Sequence, residues 1–327
     1  MKYIIIPERK TTHQLPFYFA VEEYVARKYT DDDYFMAWRV EPRVMLGRNQ
    51  LIENEVNIDY CKCNNIHIFR RKSGGGCIYA DKGCMQFSYI SFAENVNSAF
   101  IEYMKSIAEM IKSLGINTEL SGRNDILVDG KKVAGSAFYR LKGRSVLHNS
   151  LLFSTQLEHL SQALTPGKEK LQSKGVASVR QRVTNVGTYT TLNIEAFMAY
   201  VRQYMCGNEV LELTPDDMQQ IAEIEKELAS DNFIYGKNPK YTEVRKKRFA
   251  DVGTIQAHIE LKNNKIVNIN LMGDYFLSGD LDNELLNLLH GVDFSRDAVA
   301  NAIEGVEMGN VIRNFTTEQF LRLLFGR

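Results

Sequence analysis

The dipeptide Asp129-Gly130 sits between two short runs, Ile126–Val128 and Lys131–Ala134, and constrains the fold more than any other local feature. A two-residue hairpin turn of type I′ needs positive φ at both central positions, and Asp-Gly is a preferred pair for that geometry. Antiparallel pairing is thus expected in the first half of the chain. Further strand-like runs surround the hairpin, at Tyr3–Ile6, Tyr34–Trp38, Arg43–Leu46, His67–Arg70, Cys77–Tyr79, Phe87–Ser91, Asp125–Val128 and Val146–Phe153. They are rich in β-branched and aromatic residues and are bounded by turn formers. Helices fall between and after them. Phe100, Met104, Ile107, Ile111 and Leu114 recur at helical spacing, and Phe17–Lys28, Leu157–Leu164 and a segment from Thr214 to about Ala229 also read as helices. Hairpins with interspersed helices predict an α+β fold with a mixed β-sheet flanked by helices, not a doubly wound parallel sheet.

A chain of 327 residues exceeds the usual size of one core, so two domains are expected. Tyr235-Gly236-Lys237-Asn238-Pro239 breaks the helical pattern and is followed by the basic cluster Lys246-Lys247-Arg248. The boundary is placed there, giving a large domain 1–242 and a small α/β domain 243–327. The small domain is expected to hold two strands joined at Asn263-Asn264, then two or three helices. Forty basic residues balance forty acidic ones, which leaves no global field for gripping nucleic acid or an anionic membrane. The apolar start Tyr3–Ile6 is too short for a signal-peptide core, and no apolar stretch approaches the length of a membrane span. A cytoplasmic monomer is the expectation. Five cysteines without a Cys-x-x-Cys pair, and six scattered histidines, argue against disulfides and a structural zinc.

Three stretches carry chemistry. In Arg70-Arg71-Lys72-Ser73-Gly74-Gly75-Gly76, three successive glycines cost backbone entropy and call for a geometric reason. A Cβ-free turn lets backbone N–H groups converge on an anion while the cations add charge; a flexible surface turn is the alternative. The spacing is not that of a P-loop. In the hairpin, Lys131 and Lys132 point to opposite faces, so one enters a site while the other meets solvent, unless both merely solvate the tip. Asp125, on the partner strand, is placed to hold Mg²⁺ or to orient that lysine. The third stretch, Leu164 to Asn185, is polar and basic; it is either a loop that folds over a nucleotide or a solvated linker.

In this order the three stretches resemble the lipoate–protein ligase A family, with its Arg-Arg-x-Ser-Gly-Gly-Gly loop, its Arg-Asn-Asp…Lys-Val-Ala-Gly segment (here Arg123 to Gly135) and its Lys-x-x-Gly-x-x-Ser-Val-Arg-x-Arg-Val-Thr-Asn loop. Ala20-Val21-Glu22-Glu23, Trp38-Arg39 and Leu46-Gly47-Arg48 with Gln50 are similar too. The resemblance covers nearly all of the large domain, and the tail resembles the family's accessory domain. It implies an enzyme that joins lipoate to ATP, giving lipoyl-AMP, and then passes the lipoyl group to a lysine of apo lipoyl domains. The implied acceptors are 2-oxoacid dehydrogenase acyltransferase subunits and the glycine-cleavage H protein. By the same resemblance Lys132 is the essential lysine. Arg71, Gly76, Cys77, Ile78 and Tyr79 join it in nucleotide binding, and Gly75, Arg140 and His148 in lipoate binding. Lys168, Lys174, Ser178, Arg180 and Arg182 belong to the adenylate-binding loop, and Asp125 to Mg²⁺. Val44, Leu46, Ala137 and Phe153 are candidates for an apolar acyl slot, with ordinary core as the alternative for each.

Three positions depart from the family pattern. Ala80-Asp81 replaces a common His-Asp, Gly83-Cys84 a Gly-Asn, and His148-Asn149 a frequent His-Gly. Two rival activities remain: an octanoyl- or lipoyl-transferase using a cysteine thioester, and an inert lipoyl-domain binder. No cysteine lies between Cys84 and Cys206, where the transferase nucleophile is expected.

Overall fold

The computed structural model describes residues 1–7, 14–93, 95–122, 124–141, 143–165, 182–236 and 241–326. Asp129 and Gly130 adopt φ of 50° and 70°, the positive pair that the type I′ turn requires. That turn joins two of the strands, which in chain order are β1 (Lys2–Ile5), β2 (Tyr34–Trp38), β3 (Arg43–Leu46), β4 (His67–Arg70), β5 (Ile78–Ala80), β6 (Cys84–Ser91), β7 (Glu119–Ser121), β8 (Asp125–Val128), β9 (Lys131–Leu141), β10 (Arg144–Leu152), β11 (Val210–Glu212), β12 (Glu243–Phe249), β13 (Gly253–Lys262) and β14 (Lys265–Gly273). The main sheet runs β11-β1-β2-β6-β10-β9-β8-β7. It is mixed, with β1 parallel to β2 and β11 and the other neighbours antiparallel. A second sheet, β4-β3-β5, lies beside it and carries the glycine loop between β4 and β5.

Helices cover both faces of the main sheet. Helix Leu15–Lys28 and helix Pro215–Leu228 bury their apolar sides in one core with Met36, Trp38, Val44 and Leu46. Helix Val96–Lys112 and helix Ile194–Cys206 close the other face over Phe35, Phe87, Phe138 and Leu147. Of the predicted stripe, Phe100, Met104, Ile107 and Ile111 are buried while Leu114 lies half-buried past the helix end, and Asn95 caps that helix by accepting from the N–H groups of Asn97 and Ser98.

The smaller C-terminal domain has its own core, in which Ile255, Ala257 and Ile259 pack against Phe320, Leu323 and Leu324 of helix Thr317–Phe325. Its sheet has three strands, not the two expected from sequence. The segment containing Lys246-Lys247-Arg248 is the edge strand β12; its charged, half-open surface hides the apolar alternation that marks a strand. A contact joins this domain to the main core. Phe276 is buried and stacks on Phe138 with ring centroids 5.5 Å apart, and the Arg313 guanidinium lies 4.7 Å from the Phe100 ring centre.

Candidate active site

The glycine loop is built from inside outward. Arg70, at the end of β4, is buried and gives its N–H groups to the carbonyls of Gly47, Arg48, Gln50 and Ile234, so it fastens neighbouring turns. Lys72 pairs with the buried carboxylate of Glu23. Arg71 donates from Nε to Ser73 Oγ at 2.9 Å and from its terminal nitrogens to the carbonyls of Met45, Gly74 and Gly76. Burial pulls its guanidinium down to about 10, still charged at neutral pH. This revises the expected use of the three cations, because only Arg71 reaches the cavity described below and much of its donor capacity holds the loop in shape.

The glycines have a packing reason as well. A Cβ on Gly74 would lie 2.3 Å from the carbonyl oxygen of Tyr275, and one on Gly75 2.7 Å from the Phe276 ring. Gly75 also sits at φ 84° and donates its N–H to Tyr275 O at 3.0 Å. The expected cradle for an anion is therefore partly occupied by the C-terminal domain, while Gly76, Cys77 and Ile78 line the open side.

That side faces a cavity of about 660 Å³, within the usual range for small-molecule sites. Lys132 reaches it from β9. An irregularity in the β8–β9 register puts Leu127 opposite Lys132 and Ile126 opposite Ala134, leaving Val133 as the extra residue. Lys131 is exposed, whereas the Lys132 ammonium turns inward to Asp125 Oδ1 at 2.7 Å. Gly135 makes room for it, because a Cβ there would stand 2.6 Å from Lys132 Nζ. From Arg182 onward the chain runs beside β9, where Thr184 N donates to Lys132 O at 3.0 Å. Arg182 thereby joins the cavity wall, and its buried Nε has no hydrogen-bond partner. Lys168, Lys174, Ser178 and Arg180 lie outside the described residues.

His148, on β10, lines the same cavity. Its Nε2 lies 2.7 Å from Glu22 Oε2, and its Nδ1 lies 3.4 Å from Ser73 Oγ. Glu22 is fully buried; Ser88 donates to its other oxygen and in turn accepts from Trp38 Nε1 at 2.8 Å. A buried polar chain thus links the helix carrying Glu22 to the glycine loop. Asn149 donates to Ser136 Oγ at 2.9 Å, while its buried Oδ1 has no partner.

Other expected residues fall in different places. Arg140 does not reach this cavity; strand alternation places it with Phe138 on a separate cleft that also holds Arg48 and Asp280. Tyr79 is buried in the core and does not line the cavity. Among the proposed acyl-slot residues only Ala137 does, since Val44, Leu46 and Phe153 are ordinary core. The apolar wall consists instead of Phe19, Trp38, Met45, Ile78 and Phe87. Sequence reasoning also missed Arg248, Phe249 and Asp251, which the C-terminal domain brings to the rim. Only their neighbouring basic run signalled them. Ala80 is fully buried, so the cavity is completed without the missing imidazole. Cys84 is buried too, and burial pushes its thiol up to about 12, leaving no thiolate for catalysis at neutral pH. Asp125 is already engaged by Lys132, and no three His, Cys, Asp or Glu side chains converge as metal ligands among the described residues.

Residues 14–206 match the lipoyl protein ligase A/B catalytic domain, and residues 238–324 match the bacterial lipoate protein ligase C-terminus. Lipoate-protein ligase LplJ of Bacillus subtilis is 34% identical over 317 residues, covering 94% of this chain and 95% of that protein. The chain belongs to the lipoate–protein ligase family. The crystal structure of P. falciparum LipL1 in complex with lipoate shares the fold, with a TM-score of 0.75 at 20% identity over 98% of this chain and 96% of that one. A lipoate-protein ligase A bound with ATP aligns with a TM-score of 0.61 at 25% identity, over 72% of this chain and 98% of that one. As a family member the chain is an ATP-dependent lipoate–protein ligase.

Proposed function

We propose that the 660 Å³ cavity is where this chain makes lipoyl-AMP and then transfers the lipoyl group, with Lys132 as the catalytic cation. The observation that carries this reading is the ammonium of Lys132, held over Gly135 by Asp125 at the meeting point of the glycine loop and Arg182. In the first step a lipoate carboxylate oxygen attacks the α-phosphorus of ATP and pyrophosphate leaves. Both reactants are anionic, so Lys132, Arg71 and Arg182 offset their repulsion and stabilise charge that builds on the phosphoryl oxygens. The unpartnered Arg182 Nε and the backbone of Gly76 to Ile78 are the remaining donors we assign to the nucleotide. In the second step the acceptor lysine amine attacks the acyl carbonyl, AMP departs, and one proton is lost from the amine. Lys132 then faces the tetrahedral oxyanion.

His148 and Gly75 support the lipoate side through the Ser73 contact and the glycine-loop shape, and Phe19, Trp38 and Met45 receive the aliphatic chain. Mg²⁺ when bound neutralises phosphate charge. Asp125 is the protein carboxylate beside Lys132, and a single carboxylate plus nucleotide phosphates suits this cation. The acceptors are apo lipoyl domains of 2-oxoacid dehydrogenase acyltransferase subunits and the glycine-cleavage H protein. We also place the domain boundary at 242/243 and assign a monomer.

The test is pyrophosphate release with lipoate, ATP and Mg²⁺, followed by mass measurement of an added apo lipoyl domain. Absence of adenylate from well-folded protein would refute the assignment. Cys77 lines the cavity and is the one observation favouring a thioester transferase. Trapping of an acyl-thioester, lost in Cys77→Ala together with turnover, would establish that alternative.

A further inference from the structure

The basic run that sequence left as a boundary marker is an exposed edge strand. In β12, Val244, Arg245 and Lys246 are exposed and Lys247 and Arg248 half-buried, so one short edge carries four consecutive cations. Among the described residues only β13 pairs with it, on one side, so it is an edge strand of its sheet. Arg245 has an ion pair with Glu243, while no carboxylate pairs with Lys246 or Lys247 among the described residues. Beside this edge is a groove of about 590 Å³, lined by Arg245, Lys246, Lys247 and, from the last helix, Arg322 and Phe325. The other end of the strand leads into the catalytic cavity through Arg248, Phe249 and Asp251. The same strand thus borders the groove with Arg245–Lys247 and the cavity rim with Arg248 and Phe249.

We infer that β12 and its groove are the docking surface for the protein acceptor, taking an acidic, extended segment next to the lysine to be modified. The inference rests on the transfer activity proposed above. A chain with no net charge has no general pull on an acidic partner, so this local concentration of cations provides the attraction. The strand's edge supplies register by strand addition, and alternating pockets distinguish the segment's side chains. Because β12 runs from the groove to the cavity rim, a segment paired along it carries the neighbouring lysine towards Lys132. Cationic edge strands also occur merely to block edge-to-edge association, and the experiment separates the two roles.

In the full-length protein, Arg245→Glu, Lys246→Glu and Lys247→Glu are combined, leaving the cavity residue Arg248 intact. Pyrophosphate release without acceptor is expected to match wild type, which also reports that the variant is folded. Transfer from preformed lipoyl-AMP to a short neutral peptide with a single lysine should likewise be unchanged. For an apo lipoyl domain, the acceptor KM should rise about tenfold or more at low salt and approach the wild-type value at high salt. A triple replacement by Gln should give a smaller rise in the same direction. A control with Lys62→Glu, Lys105→Glu and Lys262→Glu makes the same net-charge change at exposed positions elsewhere and should leave the KM alone. An unaltered acceptor KM in the edge variant, an equal rise in the control, or self-association without a transfer defect would each overturn the docking role. Loss of adenylate formation in wild type would instead refute the underlying ligase assignment.

Discussion

Gly135→Ala offers a direct test of whether the position of Lys132 matters more than its charge. The backbone at Gly135 is not in the left-handed region, so alanine introduces no φ strain there. Its Cβ would stand 2.6 Å from Lys132 Nζ and 2.9 Å from Cε, and no backbone atom lies within 4 Å of it apart from its chain neighbours. Ordinary contact begins near 3.4 Å, so the ammonium must retreat by about 0.8 Å. The end of a lysine moves more easily than backbone, so the cost to stability stays below about 1 kcal/mol. Catalysis is less tolerant, because a misplacement of about 1 Å costs on the order of 100-fold. The expected result is a kcat for lipoate-dependent pyrophosphate release lowered by about 30- to 100-fold, with an unchanged melting temperature. The Asp125 pair, now 2.7 Å, lengthens or rotates with the displaced ammonium. Wild-type turnover in a folded Gly135→Ala variant would refute the claim that this glycine sets the lysine's position.

Lys132→Ala should remain folded and lose about 100-fold or more in each half-reaction, measured separately by pyrophosphate release and by transfer from supplied lipoyl-AMP. Gly75→Ala meets both a φ of 84° and the Phe276 ring, and should lower stability by about 2–4 kcal/mol, read as an earlier calorimetric transition. Asp217 tests the pH dependence of folding. Burial pushes its pKa up, but hydrogen bonds from Lys28, Tyr24 and Thr214 outweigh that and hold it well below the usual carboxylate range. A depressed folded-state pKa contributes stability above the unfolded value near 3.8 and loses it as pH falls towards the folded value. Asp217→Asn should therefore destabilise by about 2 kcal/mol at pH 7, with the gap to wild type closing below about pH 4 in denaturant titrations. Replacing Cys77 and Cys84 by alanine should leave ligase turnover within about twofold, since the activated anhydride needs no enzyme nucleophile.

The parts of this molecule legible in sequence are those fixed by local chemistry. Asp129-Gly130 permits few turns other than the one observed, and the spacing Phe100-Met104-Ile107-Ile111 matches the buried face of its helix. Hairpin alternation left open which of Lys131 and Lys132 turns inward; the family resemblance alone singled out Lys132, and the extra residue at Val133 was not foreseeable. What stayed hidden depends on contacts far along the chain. Strand β12 carries its charges on an open edge, so no apolar alternation announces it. Arg140 stands near the motifs in sequence but falls on another cleft, because one step along a strand changes face. Phe19 and Met45 sit in segments legible only as a helix and a strand, and the fold brings them to one cavity.

The glycine loop shows why nearness in sequence to charge is a poor guide to its use. Arg70, Arg71 and Lys72 look like three equal phosphate ligands, yet their partners differ completely. Arg70 satisfies four backbone carbonyls, and Lys72 neutralises Glu23. Removing Arg70 would leave several carbonyls without their donor, and removing Lys72 would leave the buried Glu23 with Arg27 alone, so either loss destabilises the loop. These two residues keep the loop rigid, and rigidity is what allows Gly76 to Ile78 to present backbone donors without reorganising. Gly74 and Gly75 extend the same structure outward, because only glycine admits Tyr275 and Phe276 so closely. The loop that shapes the cavity is therefore also the surface on which the C-terminal domain rests. A change at Phe276, far from Lys132 in sequence, acts on the catalytic loop through that contact and not through the substrate.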